Sequence, residues 1–298
     1  MSLIINNLDK VLITGSTGLL GVSLVIYLKK RGFNIITHAR KNQADKMFDL
    51  SNQKRTIEAL NQVKPNIIIN LVSLTSVPDC EYNINLAYLS NTRSVENIVH
   101  WIESSHSDCH LIQISTDHVY DGKGLHTEDN VLITNNYAMT KYAGELAAMR
   151  VPSTVLRTNF IGKSRVSYRE SLTDWIYNSI ISEHHVEVLN DIFFSPLSIS
   201  VLIEMIELVL TKKPIGIYNL GSHDGMSKAE FDFAFAKSLN LSTNFMTSIA
   251  SSQAKFLKVY RPKDMRMDVS KFEDTLDVKL PKLIDLIDGI AKEYIEVD

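Results

Sequence analysis

Four short apolar runs set the rhythm of the first half of the chain: residues 11–14, 34–37, 67–71 and 111–115. None alternates apolar with polar positions. Each therefore reads as a strand buried on both faces, which is the mark of a parallel sheet covered by helices. Between the runs, residues 19–31, 53–63 and 88–103 place their apolar positions at helical spacing. The repeating strand–helix order predicts an α/β fold with a doubly wound parallel sheet. Residues 155–159 and 186–189 are expected to add strands. Beyond about residue 161 the pattern turns irregular, as expected of a smaller C-terminal α/β domain. The spacing thus predicts a sheet domain over 1–160, with a returning segment near 186–212, and a mainly substrate-binding domain over 161–298.

Composition narrows the class without naming a chemistry. The 298 residues are 45% apolar and 22% charged, with a formal net charge of -3. That is an ordinary globular balance, with no electrostatic footprint for nucleic acid or an anionic membrane. No stretch reaches the ~20 apolar residues of a membrane span. Residues 1–10 lack the cationic start and apolar run of a secretory leader. Two cysteines, Cys80 and Cys109, fit a reducing compartment, and a cytoplasmic protein is expected. No metal is expected either. His106, Cys109 and His110 lack a fourth ligand and read as the polar turn before a strand.

Chemistry enters with the glycines. Gly15, Gly18 and Gly21 follow the first strand and open the first helix. There a tight backbone turn brings a helix N-terminus close to a pyrophosphate, which makes this a Rossmann-like NAD(P) site. The second strand ends Thr37-His-Ala-Arg40-Lys, with no acid before Asp45. An arginine suits a 2′-phosphate, as a carboxylate suits a free ribose hydroxyl. NADPH is the expected cofactor, with NADH the second candidate. Asp49 either reaches the adenine edge or caps the helix that follows. Residues 114–145 carry the reactive groups. A strand ends in the hydroxyls of Ser115 and Thr116, either able to hold a carbonyl oxygen. Beyond a polar loop, Tyr137 and Lys141 share one helix face at i and i+4. A lysine ammonium one turn from a phenol favours the phenolate and tunes the group for proton transfer.

Together these segments resemble the extended short-chain dehydrogenase/reductases, in particular the dTDP-4-dehydrorhamnose reductase group. The likeness runs from the glycine triplet through Asp49-Leu50-Ser51-Asn52, Lys64-Pro65-Asn66, Asn91, Ser115-Thr116-Asp117, Tyr137/Lys141 and Arg157-Thr158-Asn159-Phe160. It ends at Arg261-Pro262 and Arg266-Met267-Asp268. The resemblance implies that Tyr137 protonates the developing alkoxide, Lys141 lowers its pKa and bonds the nicotinamide ribose, and Thr116 holds the substrate carbonyl. It implies cofactor contacts at Gly15, Thr17, Gly18, Leu19, Leu20, Arg40, Asp49, Leu50, Leu71, Val72, Ser73 and Asn91. It implies substrate contacts at Ser115, Asp117, Asn159, Arg261 and Arg266, with the arginines suited to a diphosphate. A homodimer is a further family-level implication.

Neighbouring activities separate in part. Dehydratases of this scaffold carry Asp-Glu after the catalytic threonine, whereas Asp117-His118 stands here, so dehydration is disfavoured. The group's Asp-Gln-x-Gly segment is replaced by Asp191-Ile-Phe-Phe-Ser195-Pro196. The resemblance therefore carries over as a class: a nucleotide-sugar 4-ketoreductase in polysaccharide precursor synthesis. A non-catalytic reductase-like subunit and a nucleotide-sugar epimerase are the alternatives. His118 is read as packing, and the phenylalanines after the Ser227/Glu230 capping box as core.

Overall fold

The computed structural model describes residues 9–41, 43–105 and 108–296. Residues 1–8 of the segment inspected for a leader, and His106 of the polar turn, lie outside the described residues. In chain order the first strands and helices are β1 (Lys10–Thr14), α1 (Leu19–Lys30), β2 (Asn34–Ala39), β3 (Lys46–Met47), α2 (Gln53–Val63) and β4 (Ile67–Asn70). Next come α3 (Val77–Tyr82), α4 (Ile84–Tyr88), α5 (Ser94–Ser105), β5 (His110–Ile114), α6 (Asn136–Ala148) and β6 (Ser153–Thr158). The later part holds β7 (Phe160–Ile161), α7 (Leu172–Ile181), β8 (Val186–Leu189), β9 (Phe193–Phe194), β10 (Leu197–Ser198) and α8 (Ile199–Lys212). It closes with β11 (Gly216–Leu220), β12 (Met226–Ser227), α9 (Lys228–Ser238), β13 (Met246–Ile249), α10 (Ser270–Leu276) and α11 (Leu283–Ile295).

The chain forms two compact units. The first comprises residues 1–116, 135–157 and 203–218. Its seven-stranded sheet has the order β11-β6-β5-β4-β1-β2-β3. The pairs β1–β2, β1–β4, β4–β5 and β5–β6 are all parallel. Every residue of β4, β5 and β6 is buried, so the apolar residues of β4 and β5 show no alternation, and the polar ones of β6 are buried as well. One layer of the core packs Leu12, Ile68, Leu111 and Val155 of the strands against Leu60 of α2 and Val95, Ile98 and Val99 of α5. The strand order reverses at β1, between β2 and β4. In open α/β sheets the crevice at the carboxyl ends there is the natural ligand site.

The second unit comprises residues 117–134, 158–202 and 219–298. It contains three two-stranded pieces, β7–β10, β8–β13 and β9–β12. Its core includes Phe231 and Phe235 of α9, with Phe231 edge-on to Phe194. The capping box of Ser227 and Glu230 is formed in full at the start of α9.

Two features differ from the pattern-based reading. The strand at Val186–Leu189 pairs in parallel with Met246–Ile249 in the second unit, and the seventh strand of the large sheet is β11. The segment that returns to the first unit is accordingly 203–218 rather than 186–212, and residues 117–134 belong to the second unit. The expected helix over 88–103 is α4 and α5 joined through a π-helical turn at Leu89–Arg93. This turn packs closely against the neighbouring helix. Gly144 of α6 comes so close that a Cβ there would sit 2.5 Å from the Asn91 carbonyl oxygen.

Candidate active site

The glycine loop is shaped by backbone contact. Gly15 takes a left-handed φ of +68°, and a Cβ on it would lie 3.1 Å from the Leu71 carbonyl carbon. Gly21 is tighter, since a Cβ there would sit 2.4 Å from the Gly15 carbonyl oxygen. The loop is also fastened to β2, where Ser16 donates to the His38 carbonyl through both its N–H and its Oγ at 3.0 Å. Gly18 ends the loop as the N-cap of α1, in extended conformation and with no side-chain cap. Most of the other helices here are capped by a serine or asparagine side chain, as Asn52 caps α2 and Asn135 caps α6. The first N–H groups of α1 are thus left for an anion, with no acidic residue in the first turn to compete. This loop fits a dinucleotide pyrophosphate.

Around it stand the other residues expected to hold the cofactor. Thr17 and Leu19 are half-buried beside the loop, whereas Leu20 points into the core. Arg40 is exposed at the carboxyl end of β2. Asp45, the nearest acid, is turned back on the strand, where its carboxylate accepts from Thr37 N at 2.9 Å and Thr37 Oγ1 at 2.8 Å. Asp49 folds onto its own loop by accepting from Ser51 N at 2.9 Å, and Leu50 is core. Leu71, Val72 and Ser73 follow β4 directly.

Asn91 fixes that last segment. Its side chain accepts from Ser73 Oγ at 2.9 Å and Leu74 N at 2.8 Å. It also donates to the Leu74 carbonyl at 3.1 Å and to Thr140 Oγ1 at 3.0 Å. Buried and fully engaged, Asn91 ties the loop after β4 to α6, on which Tyr137 and Lys141 stand.

Helix α6 starts firmly. Asn135 caps it by accepting from Ala138 N at 2.8 Å, and Glu81 takes the Asn136 N–H at 2.6 Å. Tyr137 is 8% exposed and Lys141 is buried on the same face. The Lys141 ammonium donates to the Ile114 carbonyl, the last of β5, at 2.7 Å. Burial pushes Lys141 down to about 8, against the opposing pull of the Glu145 carboxylate. Thr116 lies buried just past the end of β5. Ser115 turns its hydroxyl inward and donates it to Glu145. The first unit thus holds a strand-end threonine, a phenol and a lysine, residue types able to take part in proton transfer to a carbonyl oxygen.

The second unit carries the remaining candidates. Asp117 is buried and accepts from Asn159 Nδ2 at 2.8 Å, so two of the expected substrate residues are partners of each other. Arg266 grips Asp264 with Nε at 2.8 Å and Nη2 at 2.6 Å, and its guanidinium lies over the Phe193 ring. Arg261 is different, because its Nη1 is buried without a hydrogen-bond partner. His118 is half-buried, and desolvation drives it down to about 3, so it is a neutral ring. No three His, Cys, Asp or Glu side chains among the described residues group as a metal site. Both cysteines are buried.

Sequence reasoning passed over several buried ionisable groups. Glu145 is fully buried and bonded to Arg157, a residue quoted in the resemblance but given no role. In the second unit Asp232 is buried, and desolvation pushes it up to about 8. An arginine directly after the apolar pair Val155-Leu156 of an expected strand was the available signal: a guanidinium buried in a parallel strand needs a buried acid.

Comparison with known proteins agrees with this geometry. The sequence matches the RmlD substrate binding domain family over residues 9–295. It is 28% identical to the spore coat polysaccharide biosynthesis protein SpsK of Bacillus subtilis, over 80% of this chain and 83% of that one. It is 25% identical to the dTDP-4-dehydrorhamnose reductase of Aggregatibacter actinomycetemcomitans, over 91% of this chain and 94% of that one. Among solved structures, the dTDP-4-dehydrorhamnose reductase of Bacillus anthracis, in complex with NADP, matches with a TM-score of 0.86 at 22% identity. That match covers 97% of this chain and 99% of the other, and it is a likeness of fold. On a match spanning nearly its whole length, the chain belongs to the RmlD substrate binding domain family.

Proposed function

We propose that the protein is an NADPH-dependent reductase of a nucleotide-activated 4-keto-6-deoxy sugar, acting in the cytoplasm in the synthesis of polysaccharide precursors. The observation that carries this reading is the threonine at the end of β5 beside a helix face bearing Tyr137 and Lys141, in a chain of this family. The curated relatives named as dTDP-4-dehydrorhamnose reductase and as a spore coat polysaccharide biosynthesis protein support the substrate class.

Bound NADPH would supply the hydride. The uncapped start of α1 would hold its pyrophosphate, and Arg40 its 2′-phosphate. Asp45, committed to Thr37, leaves no carboxylate there to favour a free ribose hydroxyl. Thr116 donates a hydrogen bond to the carbonyl oxygen at C4. Tyr137 passes its phenolic proton to that oxygen as it becomes an alkoxide. Lys141 stabilises the phenolate left behind. The unpartnered Nη1 of Arg261 is the group assigned to a substrate phosphate, with Arg266 shaping the loop through Asp264. Asp117 and Asn159 act as one bonded pair beside the sugar, and a homodimer is the assembly expected.

The test is turnover. Purified protein should consume NADPH with dTDP- or UDP-activated 4-keto-6-deoxy sugars, with a preference over NADH that falls in an Arg40→Asp variant. A protein that binds NADPH but reduces no member of that panel would instead fit a non-catalytic subunit.

A further inference from the structure

Beneath the catalytic face of α6 lies an ion pair with no solvent contact. Glu145 is 0% exposed and Arg157 is 1% exposed. The Arg157 guanidinium reaches both carboxylate oxygens, with Nη2 at 2.7 Å from Oε2 and Nε at 3.1 Å from each. Burying two charges in this way is a poor source of stability, since desolvation cancels much of the attraction. The position of the pair is more telling. Tyr137, Lys141 and Glu145 stand at i, i+4 and i+8, one above another on the helix.

Two consecutive residues at the end of β5 are tied to that face. Lys141 holds the Ile114 carbonyl at 2.7 Å, and Glu145 accepts the Ser115 hydroxyl. Ser115 N also donates to the Leu156 carbonyl of β6 at 2.7 Å, one residue before Arg157. The next residue along the chain is Thr116. Helix, strand end and neighbouring strand are thus clamped at one point, one residue before the hydroxyl assigned to the substrate carbonyl.

The charge count points the same way. Several ionisable groups on the elements packed against Lys141 are neutral or engaged elsewhere. Cys80 of α3 is pushed up to about 11 by burial and stays a thiol. Glu81 is bonded to Asn136, and Arg93 to Glu96. Arg157 faces Glu145. The Glu145 carboxylate favours the Lys141 ammonium electrostatically, and Arg157 holds that carboxylate in place.

We propose that Glu145, anchored by Arg157, is a positioning residue of the reduction: it sets the strand end bearing Thr116 against the helix face bearing Tyr137, and it supplies the counter-charge of Lys141. This rests on the reductase reading for its kinetic consequence, but not for its electrostatic one.

The experiment uses two variants. Glu145→Gln removes the charge and keeps an acceptor for Ser115. The double variant Glu145→Gln/Arg157→Gln removes both charges, so that no unpaired ion is left to prevent folding. In the cofactor-free protein, side-chain NMR of labelled lysines follows the titration of Lys141 directly. It should shift to lower pH by about one unit or more in Glu145→Gln, because a neighbouring carboxylate favours the ammonium, and return towards the parental value in the double variant, where the repelling Arg157 cation is gone as well. In turnover, the alkaline limb of the kcat profile should move down by the same amount, and kcat at pH 8 should fall about tenfold or more while the NADPH KM changes little. A Lys141 titration unchanged from the parent in folded Glu145→Gln, or, should that variant not fold, a double variant with the parental kcat, would overturn the proposal. Should the parent itself reduce no sugar, the reductase reading fails, while the NMR titration still decides the coupling of Glu145 to Lys141.

Discussion

The same substitution, glycine to alanine, should have opposite signs at two positions of this chain. At Gly21 a new Cβ would lie 2.4 Å from the Gly15 carbonyl oxygen and 2.8 Å from both Cα and C of Ser16. These are backbone atoms that no rotamer change can move. Carbon contacts are most favourable near about 3.5–4.0 Å, so loop and helix would have to part by roughly 1 Å. Forced overpacking of this kind costs about 1–3 kcal/mol. For a chain of this size that is a fall in Tm of roughly 2–6 °C. The displaced loop is also the one assigned to the pyrophosphate, so NADPH Kd should rise about tenfold or more, the equivalent of ~1.4 kcal/mol. At Gly289, within α11, nothing lies within 4 Å of a built Cβ. There alanine should stabilise by about 0.5–1 kcal/mol through helix propensity, with NADPH affinity unchanged. Thermal unfolding by circular dichroism and fluorescence titration with NADPH read both effects. A Gly21→Ala protein that keeps parental Tm and parental NADPH affinity would refute the role given to this close approach.

Three further outcomes follow from the site. Tyr137→Phe should cut kcat by about 10²-fold or more while leaving NADPH binding intact, as expected on loss of a general acid; single-turnover kinetics with a bound-cofactor titration separate the two. Asn91→Ala removes a side chain that makes four hydrogen bonds, including both backbone groups of Leu74. It should destabilise by about 2–4 kcal/mol, measured as a loss of Tm. Asp232 contributes a pH dependence. Burial raises its folded pKa from 3.8 to about 8, so between those values the unfolded chain has released a proton that the folded chain keeps. Its contribution to stability is complete below the lower value and is lost as pH rises towards about 8, at no more than ~1.4 kcal/mol per pH unit. Asp232→Asn stays neutral throughout, so the Tm of variant minus parent should grow from pH 5 to pH 8. A constant difference would show that Asp232 is ionised in the fold.

Much of the fold was legible because strands buried on both faces leave an unmistakable trace. Ile67–Asn70 and His110–Ile114 are read from their apolar side chains within a residue of their observed ends. The boundaries of α2, Gln53–Val63, were read correctly to the residue because the helix is strongly amphipathic, whereas its cap is Asn52 and not Asp49. The seventh strand was invisible for the opposite reason. Gly216-Ile-Tyr-Asn-Leu220 opens on a turn residue and carries Asn219, whose amide donates to the carbonyls of His126 and Asp268. A polar residue satisfied by partners far along the chain looks, locally, like a loop. Val-Glu-Val-Leu at 186–189 was read as a strand, as observed, but its partner at Met246–Ile249 lies some distance on, and periodicity does not report pairing.

The site divides in the same way. Tyr137 and Lys141 are local, one helical turn apart, and the glycine triplet announces its own loop. Glu145, Ser115 and Arg157 are joined only once β5, α6 and β6 are packed together. Arg266 illustrates the limit of reading charge from sequence. A lone arginine in a proline-containing loop suggests a phosphate, but its neighbour two residues back, Asp264, already fills the guanidinium fork. Arg261, five residues earlier, keeps a buried N–H without a partner.

The central claim is that hydride is added to C4 of a nucleotide-activated keto sugar while Tyr137 supplies the proton. The most direct test is to supply NADPH deuterated at nicotinamide C4 with a dTDP-activated 4-keto-6-deoxy sugar and to examine the product by NMR and mass spectrometry. The account predicts a single deuterium at sugar C4 in one configuration, and its absence with Tyr137→Phe. Tight binding of cofactor and sugar with no deuterium transferred, or with transfer that persists undiminished in Tyr137→Phe, would contradict it.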